Sequence, residues 1–210
     1  MIFGQVTVGD ALGCVLAHSL AVGHQRLRKG MVLDADHLTA LSAAGYDQIT
    51  VARLEDGDAH EDAAATQLAQ ALCPDPDAAH VTLTPAFTGR VNIIAGTAGV
   101  VRLDADRLIV ANGIDAMITV ATVPDLHQMQ QGGLIATVKI ISYAVQQSVL
   151  DQVCEHVRDA IRLVTPVVKT ASLIVTHTDT GAGQKGVEAI RARCDALGVD
   201  LVDVIDCQHT

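Results

Sequence analysis

Residues 173–206, LIVTHTDTGAGQKGVEAIRARCDALGVDLVDVID, hold the pattern in this chain with the most chemical content. An apolar run leads into Gly181-Ala182-Gly183-Gln184-Lys185-Gly186, and a helix-forming stretch follows. Glycines let a backbone approach a ligand closely, and a helix starting there points unpaired N–H groups and partial positive charge at the loop, so the pattern suits an anion. Gly181, Gly183 and Gly186 match the dinucleotide fingerprint GxGxxG, and Asp203 and Asp206 follow about twenty residues on, where that fingerprint carries its ribose-binding acid. Against this, His177, Thr178, Asp179 and Thr180 separate the apolar run from Gly181, whereas in the fingerprint the glycine follows its strand almost directly. An ordinary strand-to-helix connection is the competing interpretation.

A second polar cluster lies in Thr88-Gly89-Arg90-Val91-Asn92. Arg90 is suited to hold a phosphate or carboxylate as a bidentate donor and Asn92 to orient it; the alternative is a turn in which the arginine pairs with an acid. Lys139, inside the apolar TVKII, is expected on a solvent-facing strand position unless a partner holds it inward. Arg26, Arg28 and Lys29 are the densest basic run, attractive to an anionic cofactor or simply a solvated face. Glu55, Asp56, Asp58, Glu61 and Asp62 offer the oxygen ligands that Mg²⁺ takes, or serve to cap a helix. His18, His37 and His60 have no second group at catalytic spacing. The nine histidines are dispersed and the five cysteines never form a CxxC pair, so no built-in metal site is expected and the thiols read as reduced packing residues.

Composition narrows the function classes. Half the 210 residues are apolar but only 2% are aromatic, with no Trp, so cores must be built from Val, Ile, Leu and Ala, and no stacking platform for single-stranded nucleic acid is expected. A net charge of −10 also disfavours phosphate-backbone contact, so nucleic acid is not the expected partner. No segment approaches the length of an apolar membrane span, and the start, MIFGQVTVGDALG, lacks a basic n-region and a long apolar h-region, so the expectation is a soluble, cytoplasmic protein without membrane association.

The elements that must position these residues fall into four segments. Residues 1–73 read as a mixed helix and strand unit. GDALGCVLAHSL has partly helix-like spacing, a helix over 35–44 is capped by Asp34 and ends at Gly45, DQITVARL is a strand, and HEDAAATQLAQAL is a helix. CPDPDAAH, with two prolines, is the candidate linker. Residues 80–145 carry short β-branched runs, a strand-rich unit. SVLDQVCEHVRDAIRLV, within 148–165, spaces Val149, Val153, Val157, Ile161 and Val164 as one amphipathic linking helix. Residues 170–210 form a β-α-β element, and two parallel strands alone leave apolar edges bare. The expectation is therefore a piece of a longer protein, or a sheet completed in a partner, with homo-oligomer formation. The fold class is α/β and α+β.

Several stretches carry a family resemblance. Ala11-Leu12-Gly13-Cys14-Val15-Leu16-Ala17 and Lys29-Gly30-Met31-Val32-Leu33, closed by the Gly45 to Val51 segment, resemble the molybdopterin molybdotransferase family. EDAAATQLAQAL, FTGRVNIIAGTAGVVRLD, ANGIDAMITVAT and ATVKII are similar to a shorter bacterial group of molybdopterin-binding proteins, from which Ser142 departs where that group tends to have proline. The resemblance implies that residues 170–210 begin a parallel α/β molybdopterin-binding domain, whose Thr/Ser, Gly, Asp loop corresponds to VTHTDTGAGQKG. Thr176, Thr178, Asp179 and Gly181 then join Gly183, Lys185, Arg90 and Asn92 as candidate cofactor-binding residues. The implied ligand is molybdopterin or its adenylylated form, with Mg²⁺ as a further cofactor, and the implied activity is molybdate insertion, for which no catalytic residue is assigned. A non-catalytic nucleotide- or pterin-binding module is the competing class. A dinucleotide-dependent oxidoreductase comes third and requires Asp206 free to accept from a ribose.

Overall fold

The structure, a computed structural model, describes residues 1–177 and 183–208. In the first unit β1 (Ile2–Thr7) is followed by a single 3-10 turn at Val8–Asp10, β2 (Val15–Leu16), β3 (Leu20–Val22), β4 (Gln25–Leu27), α1 (Ala35–Ala43) and β5 (Gln48–Arg53). β5 lies between β1 and β2, antiparallel to both, and β3 and β4 form a hairpin. In β5 Ile49 and Val51 are buried with the half-buried Thr50 between them, the period of a strand, and Ala52 is buried as well. The start of α1 is fixed by a capping box in which the Asp34 carboxylate accepts from the His37 N–H and the His37 ring accepts from the Asp34 N–H. The segment GDALGCVLAHSL is not helical. Gly13 takes φ +74, and Cys14, Val15, Leu16 and Ala17 are buried consecutively, which no single helical stripe permits.

The second unit begins with β6 (Asp58–His60) and α2 (Glu61–Leu72), then β7 (Val81–Leu83), β8 (Arg90–Ala95), β9 (Gly99–Leu103), α3 (Ala105–Ile114), β10 (Ile118–Thr122), β11 (Gln128–Met129), β12 (Leu134–Ile140), β13 (Ala144–Gln146), α4 (Gln147–His156) and β14 (Ile161–Val164). Its main sheet has the order β10-β12-β8-β7, antiparallel throughout, and a second has the order β11-β9-β14. α2 packs on β8 and β12 and against α4. Its buried side is Ala64, Ala65, Leu68, Ala69 and Leu72, and the small alanines let the helix sit close to the strands.

Two expectations need correction here. The linking helix foreseen through residue 164 stops at His156, Asp159 adopts φ +57, and residues 161–164 form β14 against β9. Ile161 and Leu163 are buried while Arg162 and Val164 are exposed, so Ile161 continued the four-residue spacing of the helix by coincidence. The boundary at residue 73 also fails as a division between cores. Buried residues form one cluster from Val8 to Val51 and another from Ala59 to Leu163, so α2 belongs with the strands that follow it.

Residues 170–208 contribute β15 (Thr170–His177), α5 (Gly183–Ala196) and β16 (Asp200–Gln208). β15 and β16 pair in parallel and α5 lies against both. Among the described residues parallel pairing is confined to these two strands; the other sheets are antiparallel, so the chain is a mixed α/β protein. Ile174, Val202 and Ile205 are 63%, 56% and 50% exposed, as expected of two strands covered on one face.

Three of the five thiols, Cys14, Cys73 and Cys154, are buried. Burial pushes Cys73 up to about 12 and Cys154 up to about 11, the nearby Asp159 and Asp151 adding to it. Alkylation of the folded protein at pH 8, followed by peptide mass mapping, is expected to label the exposed Cys207 first and leave Cys73 and Cys154 protected until the chain unfolds. Rapid labelling of Cys73 in native buffer would contradict this packing.

Candidate functional site

The site residues expected from sequence lie in two places. At the carboxyl end of β15, Thr176 is exposed, and Gly183 opens α5 with Lys185 exposed in its first turn. Thr178, Asp179 and Gly181 lie outside the described residues. In open α/β sheets ligands bind beyond the carboxyl ends of parallel strands, the end of β15 at which Thr176 stands. The neighbouring strand supplies Asp206, and its Oδ1 lies 2.7 Å from His177 Nε2. That carboxylate is therefore already engaged, whereas a dinucleotide site needs it free to accept both ribose hydroxyls. Sequence reasoning did not pair His177 with Asp206, because only the parallel register sets the ends of β15 and β16 side by side.

Arg90 and Asn92 are in the second unit, on β8. Arg90 is exposed and lies directly opposite Lys139 of β12. Asn92 Oδ1 accepts a hydrogen bond from the Thr137 hydroxyl at 2.9 Å, and its N–H donates to the Thr84 hydroxyl oxygen at 2.9 Å. Asn92 thus ties β8 to β12 and to the residue after β7.

Lys139 is not a freely solvated strand residue. Its ammonium donates to the Thr88 carbonyl and lies 4.0 Å from Glu61 Oε2. Glu61, at the first position of α2, is 6% exposed, the one charged residue that is buried among those described. Its N–H donates to the Tyr143 carbonyl at 2.9 Å, and Asp62 beside it accepts from the Gly89 N–H at 2.6 Å. Gly89 and Gly30, both with positive φ, flank the carboxylate. The Tyr143 hydroxyl donates to the Ala17 carbonyl at 2.7 Å, and its ring stacks on Phe3 at 6.3 Å, so the same place joins the two cores. A lysine inside an apolar strand and a glycine before Arg90 were the available signals, but nothing in the spacing points from either to Glu61.

Burial raises the Glu61 carboxyl above its ordinary range; Lys139 opposes the shift, Asp62 adds to it, and His60 and Lys29 oppose it. A carboxyl raised in the folded state stabilises the fold below its unfolded value, and that contribution is lost as pH rises through the folded value. Glu61→Gln, which stays neutral, is therefore expected to be at least as stable as the parent at pH 7 and to lose that advantage below about pH 4. Urea unfolding at both pH values checks this; a variant weaker at pH 7 would mean that the Lys139 attraction outweighs burial.

The acidic run does not gather as a metal site. The Met1 ammonium lies 2.6 Å from Glu55 Oε2 and 2.7 Å from Asp58 Oδ2. This holds the Asp58 carboxyl below, and the ammonium above, their ordinary values. With Glu61 beside Lys139 and Asp62 on Gly89, no group of three or more His, Cys, Asp or Glu residues is placed to hold a metal ion among the described residues. No helix among them is long and apolar enough to cross a membrane. A cleft of about 410 Å³ at the start of α3, lined by Arg102, Asp104, Asp106, Asp159 and Arg162, contains none of the expected site residues.

No curated protein and no solved structure matches this chain. A family model described as a domain of unknown function (DUF8806) matches residues 5–53. That span encloses every buried residue of the first core, from Val8 to Val51, so the matched region coincides with one packed unit of the fold.

Proposed function

We propose that the chain is a molybdenum-cofactor handling protein that binds molybdopterin or its adenylylated form at the loop between β15 and α5. The observation that carries the reading is the parallel β15-α5-β16 arrangement, in which a glycine-containing segment joins the carboxyl end of a strand to the start of a helix. Backbone N–H groups there suit a phosphate, Lys185 adds a cation in the first turn, and Thr176, Thr178, Asp179, Gly181 and Gly183 complete the loop. Mg²⁺ would arrive on the ligand's phosphates, since it commonly keeps only one or two protein carboxylates. Molybdate insertion in the cytoplasm is the activity this reading implies. A second reading, a non-catalytic module that completes its sheet with another chain or a copy of itself, is favoured by the exposed Ile174, Val202 and Ile205.

Calorimetric titration of molybdopterin, AMP, CTP and NADH into the chain and its Lys185→Ala variant tests the reading. Saturable binding of molybdopterin or AMP, weakened in the variant, is the expected result. Binding of NADH alone would overturn it in favour of a dinucleotide enzyme.

A further inference from the structure

The cleft of about 410 Å³ beside α3 opens where three segments meet: the end of β9, the residues that begin α3, and the Asp159–Ala160 turn that leads into β14. Its volume is in the range of small-ligand sites. One wall is basic. Arg102 and Arg162 stand directly opposite on the antiparallel β9 and β14, so they share a face of the sheet, and both line the cleft. The alternate residues Val101, Ile161 and Leu163 are buried on the other face, so the register that builds the core also sets the two arginines side by side. Like charges so placed repel.

The chain neutralises this pair incompletely. Arg102 Nε lies 3.6 Å from Asp125 Oδ1, an oxygen that already accepts from the Leu103 N–H at 2.8 Å. Among the described residues no carboxylate lies within 4.0 Å of Arg162. The facing wall is acidic. Of its three carboxylates Asp104 is committed, since it accepts from the Arg107 N–H at 3.3 Å and lies 3.7 Å from the Arg107 guanidinium. Asp106 and Asp159 have no cation within 4.0 Å among the described residues. Facing one another across the cleft are thus one guanidinium without a counter-ion, a second engaged only through Nε, and two carboxylates without a partner.

We propose that this cleft binds the zwitterionic head of a free α-amino acid, its carboxylate on Arg162 and Arg102 and its ammonium on Asp106 and Asp159. A guanidinium meets a carboxylate through two parallel hydrogen bonds, and an ammonium has three donors to share between two carboxylates. A simple anion would face the two acids and a simple cation the two arginines, whereas a ligand of both signs leaves no like charges opposed. The opposed charges are also near neighbours in the chain, Arg102 to Asp106 and Asp159 to Arg162. The ligand's own charges must then be close together, as they are on the α-carbon of an amino acid. The site shares no residue with the β15–α5 loop and stands whether or not that loop binds a cofactor.

The probes are the common L-amino acids, titrated one at a time into the full chain by calorimetry at neutral pH and low ionic strength. At least one is expected to bind saturably, with its N-acetyl derivative and its α-amide each weaker by about tenfold or more. Arg162→Ala and Asp159→Asn are each expected to weaken it by about tenfold, and Lys185→Ala to change nothing. Both cleft positions are exposed, and asparagine tolerates the φ of +57 that Asp159 adopts, so both variants should fold. No saturable binding of any amino acid at millimolar concentration, equal affinity for the acetylated or amidated form, unchanged binding in Arg162→Ala, or loss of binding in Lys185→Ala would overturn the proposal.

Discussion

Gly89→Ala is expected to destabilise the chain by about 2–4 kcal/mol, several times the cost of alanine at an ordinary glycine. Gly89 has φ +70, which a residue with a Cβ adopts only with strain. A Cβ there would also sit 2.7 Å from Glu61 Oε2 and 2.7 Å from the Ile140 carbonyl oxygen. The carbonyl cannot yield, since it belongs to the central strand β12, and moving the carboxylate would disturb its ion pair with Lys139. Gly13→Ala separates the two terms. Its φ is +74 but nothing lies within 4 Å of the added atom, so only backbone strain of about 1 kcal/mol remains. Urea unfolding of both variants should show the larger loss at Gly89. Equal losses would mean that Glu61 and β12 relax freely.

Leu68→Ala should cost about 2–5 kcal/mol, because the side chain is fully buried where α2 packs on β8 and β12. The effect should be local. Leu68 belongs to the cluster from Ala59 to Leu163, and the cluster from Val8 to Val51 shares no residue with it. Hydrogen exchange is the measurement: amides of β8 and β12 should lose protection while those of β1 and β5 keep theirs. Equal loss across β1 and β5 would show that the two cores unfold as one, through the junction at Tyr143 and Glu61.

Much of the local structure was legible in the sequence. Asp34 and Gly45 bracket α1 as their residue types dictate, the alanine-rich stretch after His60 is α2, and the apolar runs flanking the glycines became the parallel β15 and β16. The misjudged places share a cause. GDALGCVLAHSL and DAIRLV carry apolar residues at spacings compatible with helix or strand, and pairing with β5 and β9 decided the matter. Of the candidate site residues, Arg90, Thr176, Gly183 and Lys185 stand at or near the ends of their elements, while the partners of Asn92, Thr84 and Thr137, are set by strand pairing that the spacing does not contain.

By itself, then, the sequence determined the properties that follow from composition and short-range pattern: aliphatic cores without tryptophan, an acidic surface, capped helices and a glycine segment between a strand and a helix. The tertiary structure alone decided which distant charges meet. Glu61 and Lys139 are 78 positions apart, Glu61 meets Gly30 from 31 positions away, and His177 reaches Asp206 across a parallel register. Charge pairing of this kind depends on strand order and on how two cores abut, and the side-chain periods that reveal helices and strands contain neither.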